Sequence, residues 1–164
     1  MNKYEFELIF RLPLSSDDPD SYVDKLYEAG CDDALVSIGK KGVIALNFTR
    51  ESIDANEALT SAIKDVKKAI PEAELIEASP DYVSITDIAE ILGHSRQNAR
   101  KLLLSNSETP LPVHTGNPSV WHLSEVLKWI VEKKKKYPIT ETLLELSETT
   151  KRVNLARQLK NSSF

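Results

Sequence analysis

The chain has 164 residues, with 21 Lys and Arg against 25 Asp and Glu, a formal net charge of −4, 41% hydrophobic and 28% charged residues. That is the make-up of an ordinary globular protein and excludes a uniformly basic nucleic-acid coat. A single cysteine, Cys31, excludes an intrachain disulfide framework and suits a reducing compartment. There is no apolar run of membrane-span length and no signal-peptide pattern at the start, so a cytoplasmic protein that leaves membranes alone is expected. Length allows one domain or two small ones; the charge distribution favours two. Acidic residues (Asp17, Asp18, Asp20, Asp24, Asp32 and Asp33 among them) gather before Pro80, whereas Arg96, Arg100, Lys101, Lys128 and residues 133–136 make the later stretch basic.

The first strand is expected from Tyr4, where Tyr4, Phe6, Leu8 and Phe10 alternate with charged residues and share one face. Pro13 and residues 15–19 read as a loop. A helix then starts at Asp20 or Ser21, turns Tyr22, Val23, Leu26 and Tyr27 inward, and ends at Gly30. Residues 34–38 and 43–49 form a hairpin around the turn at 39–42. A longer helix over 54–70 carries Ala55, Ala58, Leu59, Ala62, Ile63, Val66 and Ile70 at core spacing and stops at Pro71. A last strand covers 73–78. The order βαββαβ predicts a ferredoxin-like module over 1–79, with both helices on one face of the sheet.

That fold fixes no function by itself. Residues 1–79 offer no metal-ligand cluster, no glycine loop for a phosphate and no nucleophile with a base. Cys31 stands beside Asp32 and Asp33, whose charge disfavours a thiolate, so it reads as a small packed residue. The module is therefore expected to mediate assembly or bind a partner through its open face or edge.

Pro80 and Asp81 form a short boundary. Ser84 or Thr86 can cap the next helix, with Glu90 one residue beyond capping-box distance from Thr86. Ile85, Ile88, Ala89 and Leu92 face a core, and Gly93 stops the helix. Ser95 then caps a second helix that buries Ala99, Leu102 and Leu103 and leaves Arg96, Gln97, Asn98, Arg100 and Lys101 on its polar side. Beyond a turn-rich loop at 105–112, residues 113–123 read as two short extended arms around Gly116 and Asn117, with Trp121 and Leu123 buried and His122 packed beside Trp121. Ser124 is the expected cap of a helix whose inward residues are Val126, Leu127, Ile130 and Trp129. Tyr137 and Pro138 break the chain. A final helix from Thr140 carries Leu143, Leu144, Leu146, Val153, Leu155, Ala156 and Leu159 as its apolar positions, and a frayed end at 161–164.

Helix, turn, helix, wing, helix over about 83–130 resembles the winged helix-turn-helix of MerR-type and excisionase-like DNA-binding domains. The stretches that carry the resemblance are Ile85-Thr86-Asp87-Ile88-Ala89-Glu90-Ile91-Leu92-Gly93, then Ser95-Arg96-Gln97-Asn98-Ala99-Arg100-Lys101, a wing, and Trp121 before the next helix. The wing departs from many relatives in being short and free of arginine. The resemblance implies that Ser95, Arg96, Gln97 and Arg100 begin a recognition helix. Arginine can pair with guanine O6 and N7, Gln or Asn with adenine N6 and N7, and Ser95 with the helix amides can hold a phosphate.

Three modules follow: 1–79 for assembly, 80–136 for DNA and 137–164 for packing or dimerisation, the whole in the α+β class. The expected DNA-contacting residues are Ser95, Arg96, Gln97, Asn98, Arg100, Lys101, His114, Asn117, Lys133 and Lys134. The lysine run 133–136 reads equally as a solvated helix end or as phosphate contacts. His94, His114 and His122 lack metal-ligand spacing, and neither metal nor cofactor is expected. The expected function is sequence-specific binding of double-stranded DNA by a non-enzymatic bacterial or phage-type transcriptional regulator, acting as a homodimer that reads two half-sites. The competing expectation is an antitoxin-like or adaptor protein whose acidic first module grips a protein partner.

Overall fold

In a computed structural model, residues 1–13, 20–39, 41–105, 107–133 and 137–160 are described. The loop expected at 15–19, Lys40, Lys134, Lys135, Lys136 and the tail at 161–164 lie outside them. The protein is α+β, and it divides into two compact units: Met1–Ser79 with the segment from Arg152 onward, and Pro80–Lys151. The stretch set apart in the sequence at 137–164 is thus shared between them.

The first unit holds β1 (Asn2–Arg11), α1 (Ser21–Glu28), β2 (Ala34–Ile38), β3 (Val43–Ser52), α2 (Ala55–Ala69) and β4 (Glu74–Ser79). The strands form one antiparallel sheet in the order β2-β3-β1-β4. Alternation puts Tyr4, Phe6, Leu8 and Phe10 of β1 on one face, in register with Arg50, Phe48, Leu46 and Ile44 of β3. These residues are buried against Tyr22 and Leu26 of α1 and Ala58, Leu59, Ala62 and Val66 of α2. Tyr27, expected inward, is exposed, because α1 is only two turns long and buries the narrow stripe of Tyr22 and Leu26. Asp54 caps α2 by accepting from the Glu57 N–H at 2.7 Å. The β3 strand, expected to stop at Thr49, runs on to Ser52 because β1 offers Tyr4 and Asn2 as partners for Arg50 and Ser52.

Arg50 is the polar centre of this unit. Its guanidinium donates to both carboxylate oxygens of Asp33 (2.7 and 2.9 Å), to the Gly30 carbonyl (2.8 Å) and to Ser61 Oγ (3.0 Å), pairs with Asp65 at 3.0 Å, and lies 5.0 Å from the Phe48 ring centre. It joins the loop after α1 to β3 and α2. Gly30 is required there: its φ is +116°, and a Cβ would come within 2.8 Å of Asp65 Oδ2. Cys31 is buried, and burial together with the neighbouring Asp65 charge pushes its thiol up to about 12.

The second unit contains β5 (Tyr82–Val83), α3 (Ile85–Leu92), α4 (Arg96–Leu104), β6 (Trp121–His122), α5 (Leu123–Glu132) and the start of α6 (Glu141–Lys160). Ile88, Leu92, Ala99, Leu103, Trp121, Leu127 and Ile130 meet in one core. The arms around Gly116 differ from expectation. His114 bridges Val120, but Trp121 and His122 pair with Val83 and Tyr82 instead of continuing that arm. The reason is a buried polar pair: Asp81 and His122, both nearly inaccessible, join Oδ1 to Nδ1 at 2.7 Å. The Asp81 carbonyl also accepts the Leu123 N–H at 2.7 Å, so α5 begins two residues earlier than predicted, with His122 and not Ser124 at the cap position, and Ser124 is buried in its first turn.

The α6 helix departs furthest from its predicted stripe. Leu155, Ala156 and Leu159 are exposed, whereas Ser147, Thr149, Thr150 and Asn154 are buried with Leu146. Buried backbone groups explain the polar choice. Within the second unit Thr150 Oγ1 donates to the Pro80 carbonyl at 2.5 Å. Within the first, the Asn154 amide accepts from the Ala78 N–H at 2.8 Å and donates to the Ala78 carbonyl at 2.7 Å.

Candidate nucleic-acid interface

The geometry of α4 is set by the chain before it. Ser84 Oγ accepts from the Asp87 N–H (3.3 Å) while Asp87 Oδ2 accepts from the Ser84 N–H (2.9 Å), a reciprocal box that starts α3. It replaces the pairing of Thr86 with Glu90 considered from spacing. Gly93, at φ +69°, closes α3 in the left-handed conformation, and the His94 N–H returns to the Ala89 carbonyl at 2.9 Å. Ser95 then caps α4, its Oγ accepting from the Asn98 N–H at 3.1 Å. No acidic residue occupies the first turn of α4, so its N-terminal dipole is not neutralised locally.

Ala99 and Leu103 anchor α4 in the core, and Arg96, Gln97, Asn98, Arg100 and Lys101 are exposed. Gln97, Asn98, Arg100, Lys101, Leu104 and Ser105 line a shallow hollow of about 520 Å³ along the helix. A second groove of about 380 Å³ runs between α4 and the 116–119 loop, where Arg96 and Arg100 face Asn117, Ser119, Ser84 and Thr86. The sequence offered Thr86 only as a candidate helix cap. It instead accepts a hydrogen bond from Arg96 Nε at 3.2 Å, orienting the guanidinium at the groove. The only hint in the sequence was a hydroxyl in the first turn of the preceding helix.

The other expected residues are dispersed. His114 is exposed, and its ring packs over Gly116, where a Cβ would meet Nε2 at 2.6 Å. Lys133 pairs with Glu108 at 2.9 Å, a bond that holds the Glu108 carboxyl below and the Lys133 ammonium above their usual ranges. Lys134 lies outside the described residues. Lys128 pairs with Glu148 at 3.4 Å and Lys151 with Glu125 at 3.1 Å. Among the described Lys and Arg residues of this unit, those of α4 alone (Arg96, Arg100 and Lys101) form no ion pair.

No protein-family model matches the chain, and neither a curated protein nor a solved structure matches it significantly. Among the described residues, no helix is long and apolar enough to cross a membrane.

Proposed function

We propose that this is a sequence-specific DNA-binding protein of the regulator type, in which a winged helix-turn-helix reads duplex DNA and a ferredoxin-like module serves assembly. The observation that carries the reading is the selective ion pairing of the second unit. The other described cations on it, Lys128, Lys133 and Lys151, are paired with carboxylates, while those of α4 stand beside amide side chains along one exposed helix face. Phosphates and base edges are the partners such a face fits. Gln97, Arg100 and Lys101 are assigned to base edges. Arg96, held by Thr86 at the groove beside Asn117 and Ser119, is assigned to the strand that passes between helix and loop. The ferredoxin-like assignment rests on the β2-β3-β1-β4 order with βαββαβ connectivity.

Selection from a random duplex library tests this directly. The wild type enriches a consensus, and Q97A with R100A relaxes it while the circular dichroism spectrum stays unchanged. Arg96, at the backbone, displaces about one counterion, and Arg100 and Lys101, at base edges, add at most about one each, so log K against log salt has a slope between about −1 and −3. Failure to enrich any sequence, or a slope near zero, overturns the reading.

A further inference from the structure

The two edges of the first unit's sheet are finished differently. On the β4 edge, Ala78 turns its N–H and carbonyl outward, and the Asn154 amide meets both as a neighbouring strand would. The β2 edge has no such cover among the described residues. The Thr49 N–H bonds the Asp33 carbonyl at 3.0 Å, which sets the ladder phase: Leu35 and Ser37 exchange bonds with Asn47 and Ala45 of β3. Val36 and Ile38 therefore direct their N–H and carbonyl groups away from the sheet, as Ala34 directs its carbonyl. Proteins usually blunt such an edge with charge, proline or a bulge. The β2 sequence, Ala-Leu-Val-Ser-Ile, has none of these, and Leu35 is 74% exposed.

We propose that β2 is the homodimer interface: two copies pair their β2 strands antiparallel about a two-fold axis at Val36, joining the two sheets into one. The register is self-complementary, as an isologous interface requires. The Val36 N–H of each copy bonds the Val36 carbonyl of the other, and the Ile38 N–H bonds the Ala34 carbonyl. On the helix side Val36 meets Val36 and Ile38 meets Ala34; on the open side Leu35 meets Ser37. Charge selects this occupant. The strand is preceded by the exposed Asp32 and followed by the exposed Lys41, so antiparallel self-pairing brings the acidic end of each copy toward the basic end of the other. A parallel arrangement would oppose like charges.

Sedimentation across a concentration series, with two variants at the axis, tests the interface. The wild type forms a dimer. V36P removes an N–H that has no partner among the described residues, so it keeps its circular dichroism spectrum and weakens dimerisation by about a hundredfold or more. V36C, which leaves the backbone intact, becomes a covalent dimer on mild oxidation much faster than L159C on the exposed face of α6. A wild type that stays monomeric, a V36P dimer as tight as wild type, or V36C cross-linking no faster than L159C overturns the proposal. Dissociation by L155D with L159D but not by V36P also overturns it, and assigns the contact to α6.

Discussion

Replacing Arg50 by methionine removes the group that ties the loop after α1, the β3 strand and α2 together. Methionine keeps the aliphatic stem over Phe48, so the substitution isolates the polar contacts. Lost are the bidentate bond to Asp33, the bonds to Gly30 and Ser61 and the pairing with Asp65. Removing one partner of a buried pair typically costs about 3–5 kcal/mol. Here the carboxylates retain some solvent access, 29% for Asp33 and 28% for Asp65, and can rehydrate. The discounted cost is roughly 2–4 kcal/mol, which lowers the melting temperature of the first unit by about 10–25 °C. Lysine at 50 keeps the charge but lacks the planar fork, so R50K recovers less than half of the loss. Thermal unfolding followed by circular dichroism gives the number, and R50M with D33N gives the coupling. A loss under about 1 kcal/mol would mean that Arg50 behaves as a surface ion pair and that the loop is held by its backbone alone.

Two further outcomes probe the same unit. The raised Cys31 thiol has a definite sign: a group whose folded pKa lies above its unfolded value supports the fold at low pH and loses that support as pH rises. Against C31A, the wild type therefore loses stability progressively between about pH 9, where the unfolded thiol ionises, and about pH 12, and equal pH profiles would refute burial as the cause. Below that window, Cys31 in the native protein reacts with a thiol reagent only as fast as the unit opens. Asn154→Leu leaves the Ala78 N–H and carbonyl without their partner and costs about 2–4 kcal/mol by denaturant titration, whereas an effect near zero would show that water replaces the amide.

Local signals in the sequence carried well where the physics is local. Alternation in 4–10, the helical spacing of 55–66, Gly93 and the Ser95 cap each depend on a few neighbouring residues, and each appears as expected. What sequence reading missed depends on distant partners. Asp81 looks like boundary polarity until His122, 41 positions away, is buried against it. Arg50 sits past the expected end of a strand, and its partners come from the α1 loop and α2. The α6 stripe misled for a related reason. Apolar periodicity assumes an apolar neighbour, but this helix meets main-chain groups of Pro80 and Ala78 that need hydrogen-bond partners, which threonine and asparagine can satisfy and leucine cannot. The candidate interface follows the same division. The polar face of α4 was legible; the Thr86 bond that orients Arg96, and the ion pairs that neutralise Lys128 and Lys133, were not.

Those ion pairs change how an acidic chain can be a DNA-binding one. A formal charge of −4 opposes approach to a polyanion only over distances the solvent leaves unscreened, about 8 Å at physiological ionic strength. Inside that distance the local arrangement decides. Glu108, Glu125 and Glu148 take up Lys133, Lys151 and Lys128 on the second unit, which would reduce unspecific attraction to phosphate at those three described lysines. Among the described residues of this unit, the cations without an ion pair, Arg96, Arg100 and Lys101, lie on a single helix among donors and acceptors suited to base edges. Binding would then be weak on arbitrary sequence and shallow in its salt dependence, so a larger share of the affinity would come from the bases themselves. Two such heads in a β2-paired dimer would multiply that discrimination, because each half-site contributes its own base contacts while the acidic surface still limits unspecific attraction.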